Sequence, residues 1–114
     1  MSKACPFVPS KDITTSIAFY EALGFEVTYR DESVATMDYE GATIVIQPYF
    51  NANWARNWMA QLRVDDLDEW WKRTEGLAER FEIEILSPPA MQPWGKRTGF
   101  LSDPSDALWH IVEE

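Results

Sequence analysis

The 114 residues, 46% of them hydrophobic, suffice for one compact domain with a real core but not for two independent cores, and a formal charge of -9 argues against a nucleic-acid partner. The lone Cys5 excludes an intrachain disulfide and a thiolate zinc cage within one chain. The opening MSKACPFVPS has no apolar leader core and the longest aliphatic run, ATIVI, falls far short of a membrane span, so a soluble, cytoplasmic protein with no membrane partner is expected.

CPFVPS reads as a short extended segment that Pro6 and Pro9 confine to a sheet edge. A helix then starts at Asp12, a good N-cap, carries Ile13, Ile17, Tyr20 and Leu23 at helical spacing, and stops at Gly24. FEVTYRD, SVATMDYE and ATIVIQPYF follow as three strands, separated by DES and EG, turns of hairpin length. The second half repeats the order. NWMAQLRV predicts a strand, DDLDEWWKRTEGLAERF a helix capped at Asp65 or Asp66, and FEIEILSP, KRTGFLS and DALWHIVEE three more strands.

The repetition reaches single residues: Asp12, Ile13, Leu23, Phe25, Glu26 and Val27 match Asp66, Leu67, Leu77, Phe81, Glu82 and Ile83 at offsets of 54 to 56. The expected fold is therefore α+β, one domain over residues 1–114 made of two tandem β-α-β-β-β modules, about 4–50 and about 57–114. One helix covers one face of a four-stranded sheet, so each module leaves its other face in need of a partner. A homodimer would supply it.

Six Trp, six Phe and four Tyr are too many for a ligand site alone, and most must lie in the core or an interface. His110, the only histidine, falls in the last strand, where alternation sets Leu108, His110 and Val112 on one face and Trp109 and Ile111 on the other. It is either a satisfied structural histidine or a ligand contact. A Cys5–His110 nucleophilic pair has no third, orienting group, and the carboxylate pairs Asp65/Asp66, Asp68/Glu69 and Glu82/Glu84 fit helix caps and solvated strand faces. GKRTG is not a phosphate loop, since no helix follows its glycines.

KDITTSIAFYEALGFEV, LRVDDLDEWWK and QPWGKRTGFLSDPSDALWHIVEE together resemble the glyoxalase/bleomycin resistance/dioxygenase superfamily of vicinal oxygen chelate fold, from about Cys5 to Glu114 with NANWARN unmatched. The third stretch, in its order of QPWG, strand, DP and a strand ending in HIVEE, is most similar to the bleomycin resistance branch. The resemblance implies curved modules, a homodimer, and clefts between sheets of different chains. In metal-using relatives the ligands come from the first and fourth strand of each module, which here gives Cys5, Gln47, Met59 and His110. Such a set is poor for a divalent ion, so no metal, no cofactor and no catalytic residue is expected.

The implied function is sequestration of a bleomycin-type antibiotic, flat and cationic, in an acidic cleft lined by aromatic side chains. Trp94 matches the position whose indole stacks on the drug, and equally could anchor its loop. His110, Tyr29, Gln47, Tyr49, Met59, Gln61 and Phe100 are the candidate walls, while the second aromatic position of the branch falls near Val34. The alternatives are a lyase or isomerase of the superfamily and a protein whose cleft serves another small metabolite or a protein contact.

Overall fold

The computed structural model describes residues 2–114. The order is β1 (Phe7–Pro9), α1 (Ile13–Ala22), β2 (Glu26–Arg30), β3 (Ala35–Tyr39), β4 (Ala42–Gln47), α2 (Ala52–Asn57), β5 (Met59–Val64), α3 (Leu67–Trp71), α4 (Leu77–Phe81), β6 (Leu86–Met91), β7 (Arg97–Ser102) and β8 (Leu108–Glu113). The strands form two four-stranded mixed sheets, β1-β4-β3-β2 and β5-β8-β7-β6. In each the first strand runs parallel to the fourth and the rest pair antiparallel. This is the α+β double-module fold expected from the repeat.

The helix starts are set by the aspartates. Asp12 accepts from the amides of Thr14 and Thr15, and Asp66, rather than Asp65, accepts from that of Glu69. Each such cap satisfies a backbone donor that the helix cannot, worth about 1 kcal/mol. Under the helices a continuous core joins both sheets, with Val8, Phe19, Tyr20, Met37, Ile44, Ile46, Leu101 and Ile111 almost wholly buried. Burial of each of the larger side chains contributes about 1.5–3 kcal/mol.

The seam between the modules is polar as well as apolar. The Tyr20 hydroxyl donates to Asp103 Oδ2 at 2.6 Å and accepts from Trp109 Nε1 at 2.9 Å, while Asp103 Oδ1 accepts from the amides of Ser105 and Ala107. Burial is the largest influence on the Asp103 carboxyl, lifting it to about 6 against the three hydrogen bonds it accepts. The contact pins α1 of the first module to the β7–β8 loop of the second.

Four expectations need correction. The helix expected across DDLDEWWKRTEGLAERF is broken: a 3-10 turn at Lys72–Thr74 follows α3, and Gly76, at φ 77°, separates it from α4. The strand expected at FEIEILSP begins only at Leu86, because Phe81 closes α4 and Glu82 turns left-handed at φ 53°. The one-to-one match of Phe25, Glu26 and Val27 with Phe81, Glu82 and Ile83 is therefore not structural. NANWARN, which the resemblance left unmatched, forms α2, with Asn51 accepting from the amides of Asn53 and Trp54, so the strand expected from Asn57 begins only at Met59.

Candidate functional site: the open faces of the two sheets

Strand register decides which side chains share a face, since paired residues point the same way. In the second sheet Trp109, Ile111 and Leu101 point into the core, so the opposite face is open. Across it Gln61 pairs with His110, His110 with Phe100, and Phe100 with Ser87, making one row over all four strands. His110 is half-buried and stands edge-on to Phe100, ring centroids 4.8 Å apart. Met59, paired with Leu108, lies in the next row and is exposed.

Trp94 occupies the β6–β7 turn, which is closed by Gly95 N–H to the Gln92 carbonyl at 2.9 Å and Gln92 N–H to the Lys96 carbonyl at 3.1 Å. Its side chain is 55% exposed. With Gln61, Arg63, Lys96, Val112, Glu113 and Glu114 it lines a cavity of 180 Å³ at one end of the open face. Val112 and Thr98 belong to that face yet are buried. The indole thus stands where it meets both the sheet and solvent.

In the first sheet Val8, Ala35, Met37, Ile44 and Ile46 face the core. The open row runs Phe7, Val45, Thr36, Tyr29, with Phe7 and Tyr29 more than half exposed. Gln47 pairs with Pro9 at the strand ends, and Tyr49 lies beyond β4, packed edge-on to Trp54 of α2 at 5.6 Å. The sequence-named residues therefore divide: Trp94, Gln61, His110, Phe100 and Met59 share the second sheet, Tyr29 and Gln47 the first, and Tyr49 the linker. Val34 is in the β2–β3 turn, its amide bonded to Asp31.

The metal set implied by the resemblance can be tested on donors. Met59 faces Leu108 and Gln47 faces Pro9, so Cys5, Gln47, Met59 and His110 do not form one row. The strand neighbours of His110 are the Gln61 amide and the Phe100 ring. Among the described residues no three His, Cys, Asp or Glu side chains converge. One imidazole and a neutral amide do not fit a catalytic divalent centre, which requires about three good ligands.

The model of the Glyoxalase/Bleomycin resistance protein/Dioxygenase superfamily matches residues 6–111 of this chain. The chain belongs to that superfamily. Among characterised members it is similar to the bleomycin resistance protein of Klebsiella pneumoniae, 27% identical over 115 residues that cover 97% of this chain and 91% of the relative. Among solved structures it is similar to a bleomycin-binding protein complexed with bleomycin, with a TM-score of 0.82, 25% identity, and coverage of 100% of this chain and 99% of that one. A bleomycin resistance determinant encoded on transposon Tn5 gives a TM-score of 0.83 at 25% identity, covering 100% and 98%.

Within this superfamily fold, reasoning from sequence missed three features. Phe7 was taken only as part of an edge strand, although its register with Val45 sets it on the open face, where it is exposed. Arg63 and Lys96 line the same cavity as Trp94, together with Glu113 and Glu114, so the formal side-chain charges around it balance where the chain as a whole is acidic. Arg97, adjacent in sequence, is already engaged, bonding Asp68 at 2.7 Å and Glu113 at 3.2 Å. Among the described residues no helix is long and apolar enough to cross a membrane.

Proposed function

We propose that the protein is a homodimeric, non-enzymatic, metal-free binder of a bleomycin-type antibiotic that confers resistance by holding the drug away from its target. The observation that carries this reading is the half-exposed Trp94, fixed on a hydrogen-bonded turn above an open sheet face, in a chain that matches bleomycin-binding proteins over its whole length. An indole so placed offers a flat apolar surface to a planar heteroaromatic group. Gln61, Phe100, His110 and Met59 extend that surface, and Tyr29, Gln47 and Tyr49 belong to the wall that a second copy would bring opposite. The net charge of -9 adds long-range attraction for a cationic ligand, while the balanced charge around Trp94 leaves stacking as the main local contribution.

Bleomycin titration followed by Trp fluorescence is expected to show quenching, and affinity should fall as salt rises, because attraction between exposed charges is screened over about 8–10 Å. Trp94→Ala is expected to weaken binding by about 1–3 kcal/mol, with His110→Ala costing less. Thermal melts of the same samples separate lost stacking from a lost loop anchor. A Trp94→Ala protein that melts like wild type and binds bleomycin as tightly would refute the stacking role.

The homodimer follows from two sheets that each keep an open face bearing exposed Phe7, Tyr29, Met59 and Trp94. Light scattering at micromolar concentration is expected to give the mass of two chains. A well-folded monomer across that range would defeat it.

A further inference from the structure

We propose that Asp31 is a positioning residue which holds the Tyr29 ring as a fixed stacking face on the open side of the first sheet, suited to a planar, positively charged ligand. The inference rests on the reading above that the open faces bind a bleomycin-type molecule. Two independent structural devices converge on Tyr29. The first is a bulge: β2 pairs Val27 with Met37 but then Tyr29, not Thr28, with Thr36. An unbroken ladder would have set Tyr29 opposite Ala35, whose side chain points into the core. The extra residue turns Tyr29 to the open face beside Thr36, Val45 and Phe7, as a one-residue slip in register must.

The second device is the anchor. The Tyr29 hydroxyl donates to Asp31 Oδ2 at 2.6 Å. Asp31 Oδ1 accepts from Ser33 N–H at 2.7 Å, Ser33 Oγ at 2.8 Å and Val34 N–H at 3.0 Å, and the Asp31 amide closes the turn on the Val34 carbonyl at 3.0 Å. With four donors on its two oxygens the carboxylate has its bonding largely filled within its own turn, so its available action is on the phenol. A tyrosine that is 53% exposed would ordinarily sample several rotamers; this one is tied at its far end and has less freedom to lose when a ligand stacks on it. The same hydrogen bonds hold the Asp31 carboxyl far below the usual carboxylate range and raise the Tyr29 phenol. The ring therefore stays neutral beside a permanent negative charge, a surface that favours a cation on its face.

The test is bleomycin titration of wild type, Tyr29→Ala, Tyr29→Phe, Asp31→Ala and the double variant Tyr29→Phe/Asp31→Ala, with a melt of each. Tyr29→Ala is expected to lose about tenfold or more in affinity, as removal of a stacking partner does. Tyr29→Phe keeps the ring and the turn but cuts the tether, and is expected to lose about three- to tenfold; Asp31→Ala removes the tether and the charge beside the ring and should lose at least that factor, and the double variant no more than Asp31→Ala alone, the mark of one shared interaction. An NMR titration of the Tyr29 ring should also show its phenol ionising at lower pH in Asp31→Ala than in wild type. Should Asp31→Ala fold poorly, Tyr29→Phe carries the test alone. If wild type binds and Tyr29→Ala or Tyr29→Phe binds equally well, or the two tether variants are additive, the positioning role is overturned and the proposed function survives. If wild type does not bind bleomycin, both are overturned.

Discussion

Asp103→Ala is expected to lower stability by about 3–5 kcal/mol, because it strips three buried donors of their acceptor at once. Those donors are the Tyr20 hydroxyl and the amides of Ser105 and Ala107, and the carboxylate that serves them is 1% exposed. The Tyr20 hydroxyl still accepts from Trp109 Nε1, but its own proton is left facing a cavity. The damage falls on the seam between the modules, so both should unfold together, with a single transition shifted to lower denaturant. A midpoint within about 1 kcal/mol of wild type would mean that water replaces the carboxylate at little cost.

Asp103→Asn removes the titrating carboxyl: its one oxygen can still serve the amides of Ser105 and Ala107, but Nδ2 in place of Oδ2 cannot accept from the Tyr20 hydroxyl. The native carboxyl, lifted to about 6, holds its proton more tightly than the unfolded one, so this group stabilises the fold fully below about pH 4 and the contribution is lost as pH rises through 6. The loss amounts to roughly 3 kcal/mol. Asp31 and Asp68, held ionised by their hydrogen bonds to Tyr29, Ser33 and Arg97, act with opposite sign, losing stability only as pH falls below the ordinary carboxylate range. The asparagine variant should therefore stand furthest below wild type near pH 4 and approach it by pH 7, a narrowing that urea midpoints would reveal. A gap that stays constant with pH would show that Asp103 titrates as it does in the unfolded chain.

What could be read from the sequence was whatever a local rule fixes. Asp12 and Asp66 announce helix starts because only a short side-chain acceptor caps a first turn, and the alternation in DALWHIVEE set His110 on the face opposite Trp109 and Ile111 because a strand has period two. The rules failed where two local signals competed. FEIEILSP alternates as a strand should, yet the chain uses Phe81 to end α4 and packs its ring edge-on to Phe19 at 5.4 Å. The real strand runs through Pro88 and Pro89, which sequence rules count against it; they are tolerated because β6 is an edge strand and they fall in the register shift between Ser87 and Ala90. Tyr29 could be named as a wall from its type, but plain alternation puts it on the face of Val27. Only the bulge at Thr28, invisible in the letters, sends it to the open side.

Gly99→Val is expected to cost at least about 3 kcal/mol, beyond the usual range for adding one or two carbons to a core. Read in sequence, the glycine of KRTGFLS is merely a weak strand residue. In the fold, a Cβ at Gly99 would lie 2.7 Å from Cη2 and 2.9 Å from Cε3 of Trp71, and closer still to Cζ3. Neither side can easily give. β7 is hydrogen-bonded on both flanks, to β6 and β8, so its backbone cannot retreat without breaking two ladders. Trp71 lies in α3, whose start is fixed by the Asp66 cap and whose Asp68 is held to β7 through Arg97 at 2.7 Å. The clash is therefore between two anchored elements, and shortening the indole should relieve it. Trp71→Leu alone should destabilise by opening space against the sheet, whereas Gly99→Ala in that background should cost far less than in wild type, a coupling of about 1–3 kcal/mol. Denaturant midpoints of the four proteins of this cycle measure it; strictly additive losses would show that α3 shifts freely over β7 and that the glycine is not held by the tryptophan.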